Sequence, residues 1–204
     1  MNPVEATLVI DEVDDVYINQ TASVHVHLQY NGVDVTDTGS ITIEIGDYTN
    51  SATITDATVR STFTDYSSET AGTKTVTATY SGTQYYVTSP VTETFEVNKV
   101  PTTVTLPVVS TTTGVPVEIK AYVNPTLSGY PPVNSAGTFT FEINGEQTVT
   151  VDVVDGVATT TYAATTAGEF TVTGTFAGDD YYLGDDDTNL INVIDDRYVT
   201  DIEI

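Results

Sequence analysis

The sequence predicts an all-β protein, two antiparallel β-sandwich domains in tandem. Three observations predict it. The phrase Thr70-Ala-Gly-Thr-Lys-Thr-Val-Thr-Ala-Thr-Tyr-Ser-Gly-Thr-Gln-Tyr-Tyr86 returns 96 residues later as Thr166-Ala-Gly-Glu-Phe-Thr-Val-Thr-Gly-Thr-Phe-Ala-Gly-Asp-Asp-Tyr-Tyr182. In a chain of 204 residues, such an offset marks two copies of one domain, each of ordinary domain size. Threonine fills 41 positions, and Val, Ile and Tyr are abundant; these β-branched and aromatic types suit pleated strands. No apolar stripe at helical spacing persists over three turns.

The elements follow in order. Residues 4–10 make a first strand, 11–15 an acidic turn, and 16–18 a short extended piece. Residues 21–30 alternate, with Val24, Val26 and Leu28 on one face and His25 and His27 on the other. Asn31-Gly32 is a turn signal. In 39–45, Ile41, Ile43 and Ile45 point inward. Residues 52–56 and 58–64 are expected to pair as a hairpin. In 73–80, Val76, Ala78 and Tyr80 share a face, and 91–97 close the domain on Val91, Phe95 and Val97. Residues 98–101 are the joint, stiffened by Pro101, which favours a rod over two freely tumbling domains.

The second copy repeats the order. Residues 103–106 match 7–10, 115–123 match the His-bearing strand, and 137–143 match 39–45. The segment from Val117 to Gly137 is five residues longer than its counterpart from Val24 to Gly39, and carries Asn124-Pro125 and Gly129-Tyr-Pro-Pro132. Asn144-Gly145 and Asp155-Gly156 are hairpin turns. A last strand spans 188–193. The expected boundaries are therefore 1–97, 98–101, 102–194, and a strand-like tail at 195–204. Tyr80 aligns with Phe176, which predicts a buried aromatic slot. Seven or so short strands per copy make each an Ig-like sandwich with Greek-key connections, held by Val, Ile, Phe and Tyr packing without cysteine or tryptophan.

The net charge is −24, from 29 acidic and 5 basic residues. Residues 1–97 and 98–204 each carry −12, so the acidity belongs to both domains. It argues against nucleic acid, which needs clustered Lys and Arg, and against anionic membranes. It suits either high salt, where a negative surface stays hydrated and its self-repulsion is screened, or divalent cations. No basic and apolar leader follows Met1, and no run reaches the roughly 18 apolar residues of a membrane span. The chain is then either a whole protein made without a signal or a fragment with an added Met.

From Gly137-Thr-Phe-Thr-Phe-Glu-Ile-Asn-Gly145 through Asp155-Gly-Val-Ala-Thr-Thr-Thr161 to Ala167–Tyr182, the second copy resembles the prokaryotic Ig-like repeat domains. That resemblance implies a module of bacterial or archaeal adhesins and surface proteins, or of tailed-virus particles. The first copy matches mainly at Ala71-Gly72, Tyr80, Gly82 and Tyr85-Tyr86, and departs from the pattern at Thr83-Gln84. The fold hosts spacers, binders and capsid decorations alike.

Five places could carry chemistry or contacts. Asp179, Asp180, Asp185, Asp186 and Asp187 crowd two nearby loops, and hard carboxylate oxygens are what Ca²⁺ takes; the spacing is not that of an EF-hand. Asp11, Asp14 and Asp15 form a lesser cluster. His25 and His27 could share zinc with a third ligand, but none lies close in sequence and the alternation turns both toward solvent. Tyr130, Pro131 and Pro132 on the long loop, and Tyr198, Ile202 and Ile204 on the tail, are candidate partner contacts. No nucleophile elbow, nucleotide loop or zinc-protease helix is present. The expectation is a non-enzymatic protein of an extracellular assembly from a high-salt setting. A virion surface component (capsid decoration, turret or fibre) comes first, and tandem spacer or adhesion modules of a cell-surface adhesin or surface-layer protein come second. Protein partners, including further copies of the chain, are expected, with no insertion into a membrane.

Overall fold

Successive side chains on a strand face opposite ways, and that alternation sorts core from surface in both copies. The computed structural model describes residues 2–55, 60–82 and 85–195. These form strands and turns, with no helix among them. The chain divides into two compact units, Met1–Lys99 and Val100–Ile204.

The first unit holds β1 (Val4–Glu5), β2 (Thr7–Ile10), β3 (Val16–Tyr17), β4 (Thr21–Tyr30), β5 (Val33–Val35), β6 (Gly39–Ile45), β7 (Tyr48–Ile54), β8 (Arg60–Ser67), β9 (Gly72–Ser81), β10 (Tyr86–Val87) and β11 (Val91–Asn98). One sheet runs β3-β11-β9-β6-β7; the other centres on β4, paired with β2, β5 and β8. Val24, Val26 and Leu28 of β4, Ile41 and Ile43 of β6, and Val76 and Ala78 of β9 are all buried. Asn31 and Gly32 both take positive φ, at 53° and 76°. That conformation matches the twist of the two strands they join, so Tyr30 and Val33 face each other across a tight hairpin.

The second unit holds β12 (Thr102–Thr105), β13 (Val109–Thr112), β14 (Val117–Pro125), β15 (Ser135–Ile143), β16 (Gln147–Val153), β17 (Val157–Tyr162), β18 (Gly168–Phe176) and β19 (Asp185–Ile194). Its sheets are β12-β14-β17 and β13-β19-β18-β15-β16. The core between them takes Ile119, Ala121 and Val123 from β14, Phe139, Phe141 and Ile143 from β15, and Val172 and Phe176 from β18. Both units are Ig-like sandwiches in which the chain changes sheet between β14 and β15, and again on each side of β17.

Several expectations are corrected. The sandwiches are not wholly antiparallel. β3 pairs β11, and β13 pairs β19, in parallel, because the opening strand of each unit splits. Its first part lies on one sheet, and after Asp11–Asp15 or Pro107 the chain crosses to run beside the last strand. The expected hairpin of 52–56 with 58–64 is not formed by the described residues: β7 pairs β6, while β8 pairs β4 on the opposite sheet, and residues 56–59 lie outside the described residues. The tight turn at Gly46-Asp47 makes β6–β7 the hairpin. Asp155-Gly156 closes a single bridge, Val154 to Val157, before β17 leaves for the other sheet. Of the expected joint, Asn98 ends β11 and Val100 is fully buried in the second unit. Phe176 fills the expected buried slot, but Tyr80 is only half-buried. Its hydroxyl donates to the buried carboxylate of Asp37.

Candidate functional site

The end of the second unit nearest Asp179–Asp187 gathers most of the candidate residues. Asp179 opens a turn: its Oδ1 accepts the N–H groups of Tyr181 at 2.8 Å and Tyr182 at 2.7 Å. Asp and Asn favour this role because the short side chain reaches the amide two residues on. Asp185 to Asp187 do not form a loop, as the sequence suggested; they begin β19. Strand alternation turns Asp185 and Asp187 the same way. Asp185 Oδ2 accepts the N–H of Val104, and Asp187 Oδ2 that of Leu106, both at 2.8 Å. Each carboxylate thus takes a donor of the opening segment that the main chain would otherwise leave unpaired. Asp186 and Asp180 are exposed. Among the described residues no three His, Asp or Glu side chains are grouped to hold a metal ion, and backbone donors account for Asp179, Asp185 and Asp187.

The long loop is packed on its own unit. Tyr130 lies edge-on to Tyr181, with ring centroids 6.2 Å apart, and Tyr181 stacks at a tilt on Tyr182, 4.8 Å away. Tyr182 donates its hydroxyl to the carbonyl of Pro131 at 2.7 Å, which fastens the loop to the Asp179 turn. Burial pushes the Tyr182 hydroxyl up to about 12, helped by the neighbouring Tyr181, Asp179 and Tyr130. Farther along the loop, Val133 is fully buried, and Asn134 Oδ1 accepts the N–H of Asp155 at 2.8 Å. Pro132 is exposed. Tyr198, Ile202 and Ile204 lie outside the described residues, as does all of 195–204 except Asp195.

In the first unit, the outward placement of both histidines is corrected. His25 is half-buried, with Nδ1 3.0 Å from Thr62 Oγ1. His27 is 2% exposed. Its outer face is roofed by residues distant in sequence, which alternation within β4 could not reveal. Asp11 lies 3.5 Å from Nδ1 and Asp34 3.3 Å from Nε2. The Nδ1 separation is an ion-pair distance, long for a hydrogen bond, and Nδ1 has no hydrogen-bond partner among the described residues. Arg60 Nε reaches Asp11 at 3.2 Å, and Gln29 donates to Asp34 at 2.9 Å. The two carboxylates flank opposite edges of the ring, so this is a closed polar knot. Asp14 and Asp15 do not join it; Asp15 accepts the N–H of Glu96 at 2.7 Å.

No protein-family model and no curated protein matches the sequence. Among solved structures, the chain is similar to Yersinia pseudotuberculosis adhesin InvE at 15% identity, covering 92% of this chain and 59% of that one with a TM-score of 0.38. It overlaps red sea bream transglutaminase at 13% identity over 93% of this chain and 31% of that one, TM-score 0.43. It overlaps the chicken CNTN1 FN1–FN3 domains at 10% identity over 93% and 68%, TM-score 0.31. Overlaps this loose carry no weight; the Ig-like assignment rests on strand order and register.

Proposed function

We propose that the chain is a non-enzymatic structural and interaction protein of an extracellular assembly, and that this assembly is the surface of a virus particle. The role would be a decoration, turret or fibre component. One observation carries the reading. The side chains best equipped for chemistry are committed to architecture: Asp179, Asp185 and Asp187 hold backbone amides, and Tyr182 ties down its neighbouring loop. The even acidity of the two halves supports a surface working in high salt. Partners would be other proteins of the assembly or further copies of this chain, with segment 195–204 as one contact.

A second reading places the same modules in a cell-surface adhesin or surface-layer protein. It is favoured by the junction, where Asn98 still belongs to β11 and Val100 already to the second core. Only Lys99 stands between them in sequence, which suits serial repeats. Immunogold labelling of source cultures with an antibody to the chain separates the two. Label on released particles supports the virion role. Label confined to the cell envelope overturns it in favour of the second reading, and label confined to the cell interior overturns both.

A further inference from the structure

We infer that an open cleft in the first unit binds a neutral sugar residue of a glycan. The cleft has a volume of about 460 Å³ and is lined by Ile45, Gly46 and Asp47 at the β6–β7 turn, Tyr66, Ser68 and Thr70 around the end of β8, and Thr73 to Thr75 of β9. Small-molecule sites usually measure about 300–1,000 Å³.

Comparison with the second unit shows what the cleft is. The repeat sets Tyr66 against Tyr162, Ser68 against Ala164, and Lys74 against Phe170. The ladders agree, since Lys74 faces Phe95 on β11 where Phe170 faces Ile191 on β19. In the second unit the Phe170 ring packs against Tyr162, with centroids 5.7 Å apart, and Ala164 is buried. In the first unit a lysine replaces the phenyl ring and a serine replaces the alanine. The same corner of one fold is packed with hydrocarbon in one copy and lined with polar groups in the other.

The lining chemistry selects the ligand. Tyr66 is held as one wall by edge contacts with Tyr48, 5.3 Å away, and Phe95, 6.0 Å away. Tyr48 is itself anchored: its hydroxyl donates to Asp65 at 2.5 Å, a bond that holds the Asp65 carboxyl below the usual carboxylate range. The Asp47 carboxylate has no hydrogen-bond or ion-pair partner among the described residues, so its two oxygens are open to accept from two adjacent hydroxyls of a ligand as a charge-assisted pair. Among the described residues Lys74 donates to Thr70 Oγ1 at 3.2 Å, and an ammonium carries three donors. A sugar presents donors, acceptors and an apolar C–H face together, which matches a carboxylate, an ammonium and a tyrosine. An anion would meet Asp47 and a chain of charge −24; a cation would meet Lys74. Phosphates and metal ions therefore fit less well than an uncharged polyol.

The inference goes beyond the assembly role and is tested without reference to the assembly. The full chain, ¹⁵N-labelled, is titrated with the methyl glycosides of glucose, galactose and mannose, and separately with N-acetylneuraminic acid. The expected result is saturable shifts with at least one neutral glycoside, at millimolar strength, confined to the amides of residues 45–47 and 66–75. Lys74→Phe, which copies the second unit, should keep the fold by its amide spectrum and weaken binding at least roughly tenfold, about 1.4 kcal/mol. Asp47→Asn should weaken it several-fold and serves as the test if Lys74→Phe does not fold. No saturable shift with any neutral glycoside, shifts undiminished in the substituted chain, or binding of N-acetylneuraminic acid alone would each overturn the assignment.

Discussion

The two units use one frame with two differently compensated cores. In the first, Ile41 and Ile43 stand on β6, and Ala78 lies opposite Ile43 on β9. In the second, the same places hold Phe139, Phe141 and Gly174, with Gly174 opposite Phe141. Larger residues on one strand are matched by a smaller one on its neighbour. A Cβ added at Gly174 would lie 2.8 Å from Phe139 Cζ and 3.0 Å from Leu106 Cδ1, closer than packed carbon atoms allow. A similar trade is made nearby, where Tyr80 with Asp37 in the first unit stands for Phe176 with Ser135 in the second. What is preserved between the copies is filled volume and satisfied polarity, and residue identity follows from those.

The comparison can be broken at several points. The largest effect is expected at Phe139. Its truncation to Ala should cost about 3–5 kcal/mol, read from the amide signals of the second unit during denaturation, while the signals of the first unit hold. Asp187 comes next, because Val91 occupies its place in the first unit and supplies no acceptor. Asp187→Ala strands the Leu106 N–H and should cost about 1.5–3 kcal/mol, the range for hydrogen bonds to charged groups. Equal stability of the substituted chain would mean that the carboxylate is idle. His27→Ala removes the centre of the polar knot peculiar to the first unit and should cost about 1–3 kcal/mol, with the loss again confined to that unit.

The smallest effect concerns pH. Folding raises the Tyr182 hydroxyl from 10.0 to about 12, so the folded chain holds this proton more tightly than the unfolded one. The resulting stability is complete below pH 10 and is lost as pH rises from 10 toward 12. Tyr182→Phe should flatten that part of the stability profile of the second unit, and an unchanged slope would show that another group is responsible.

Much of the fold was legible because β-strands write their alternation into sequence. Val24, Val26 and Leu28, or Ile41, Ile43 and Ile45, could be assigned inward without coordinates, and the repeat set the two copies in register. Pairing partners were less legible. Residues 52–64 looked like a hairpin because neighbours in sequence usually pair, yet Greek-key topology sends β8 to the opposite sheet. His27 misled for a related reason: alternation tells which side of β4 it occupies, not that Asp11, Asp34 and Arg60 converge to cover that side. Asp185 to Asp187 read as a loop because acids are poor strand formers, and the Val104 and Leu106 amides that Asp185 and Asp187 satisfy lie some 80 residues away in sequence. The first-unit cleft had no motif at all. Its sequence signal was the replacement of a Phe by a Lys and of an Ala by a Ser between the two copies.

The compensated cores are tested most directly by a double-mutant cycle on Gly174 and Phe139 in the full chain. Gly174→Ala alone should destabilise the second unit by about 1–3 kcal/mol through overpacking. In a Phe139→Ile background, which puts the first unit's Ile41 in place of the ring that a Cβ at Gly174 would strike, the same change should cost clearly less. An equal cost in both backgrounds would contradict the account.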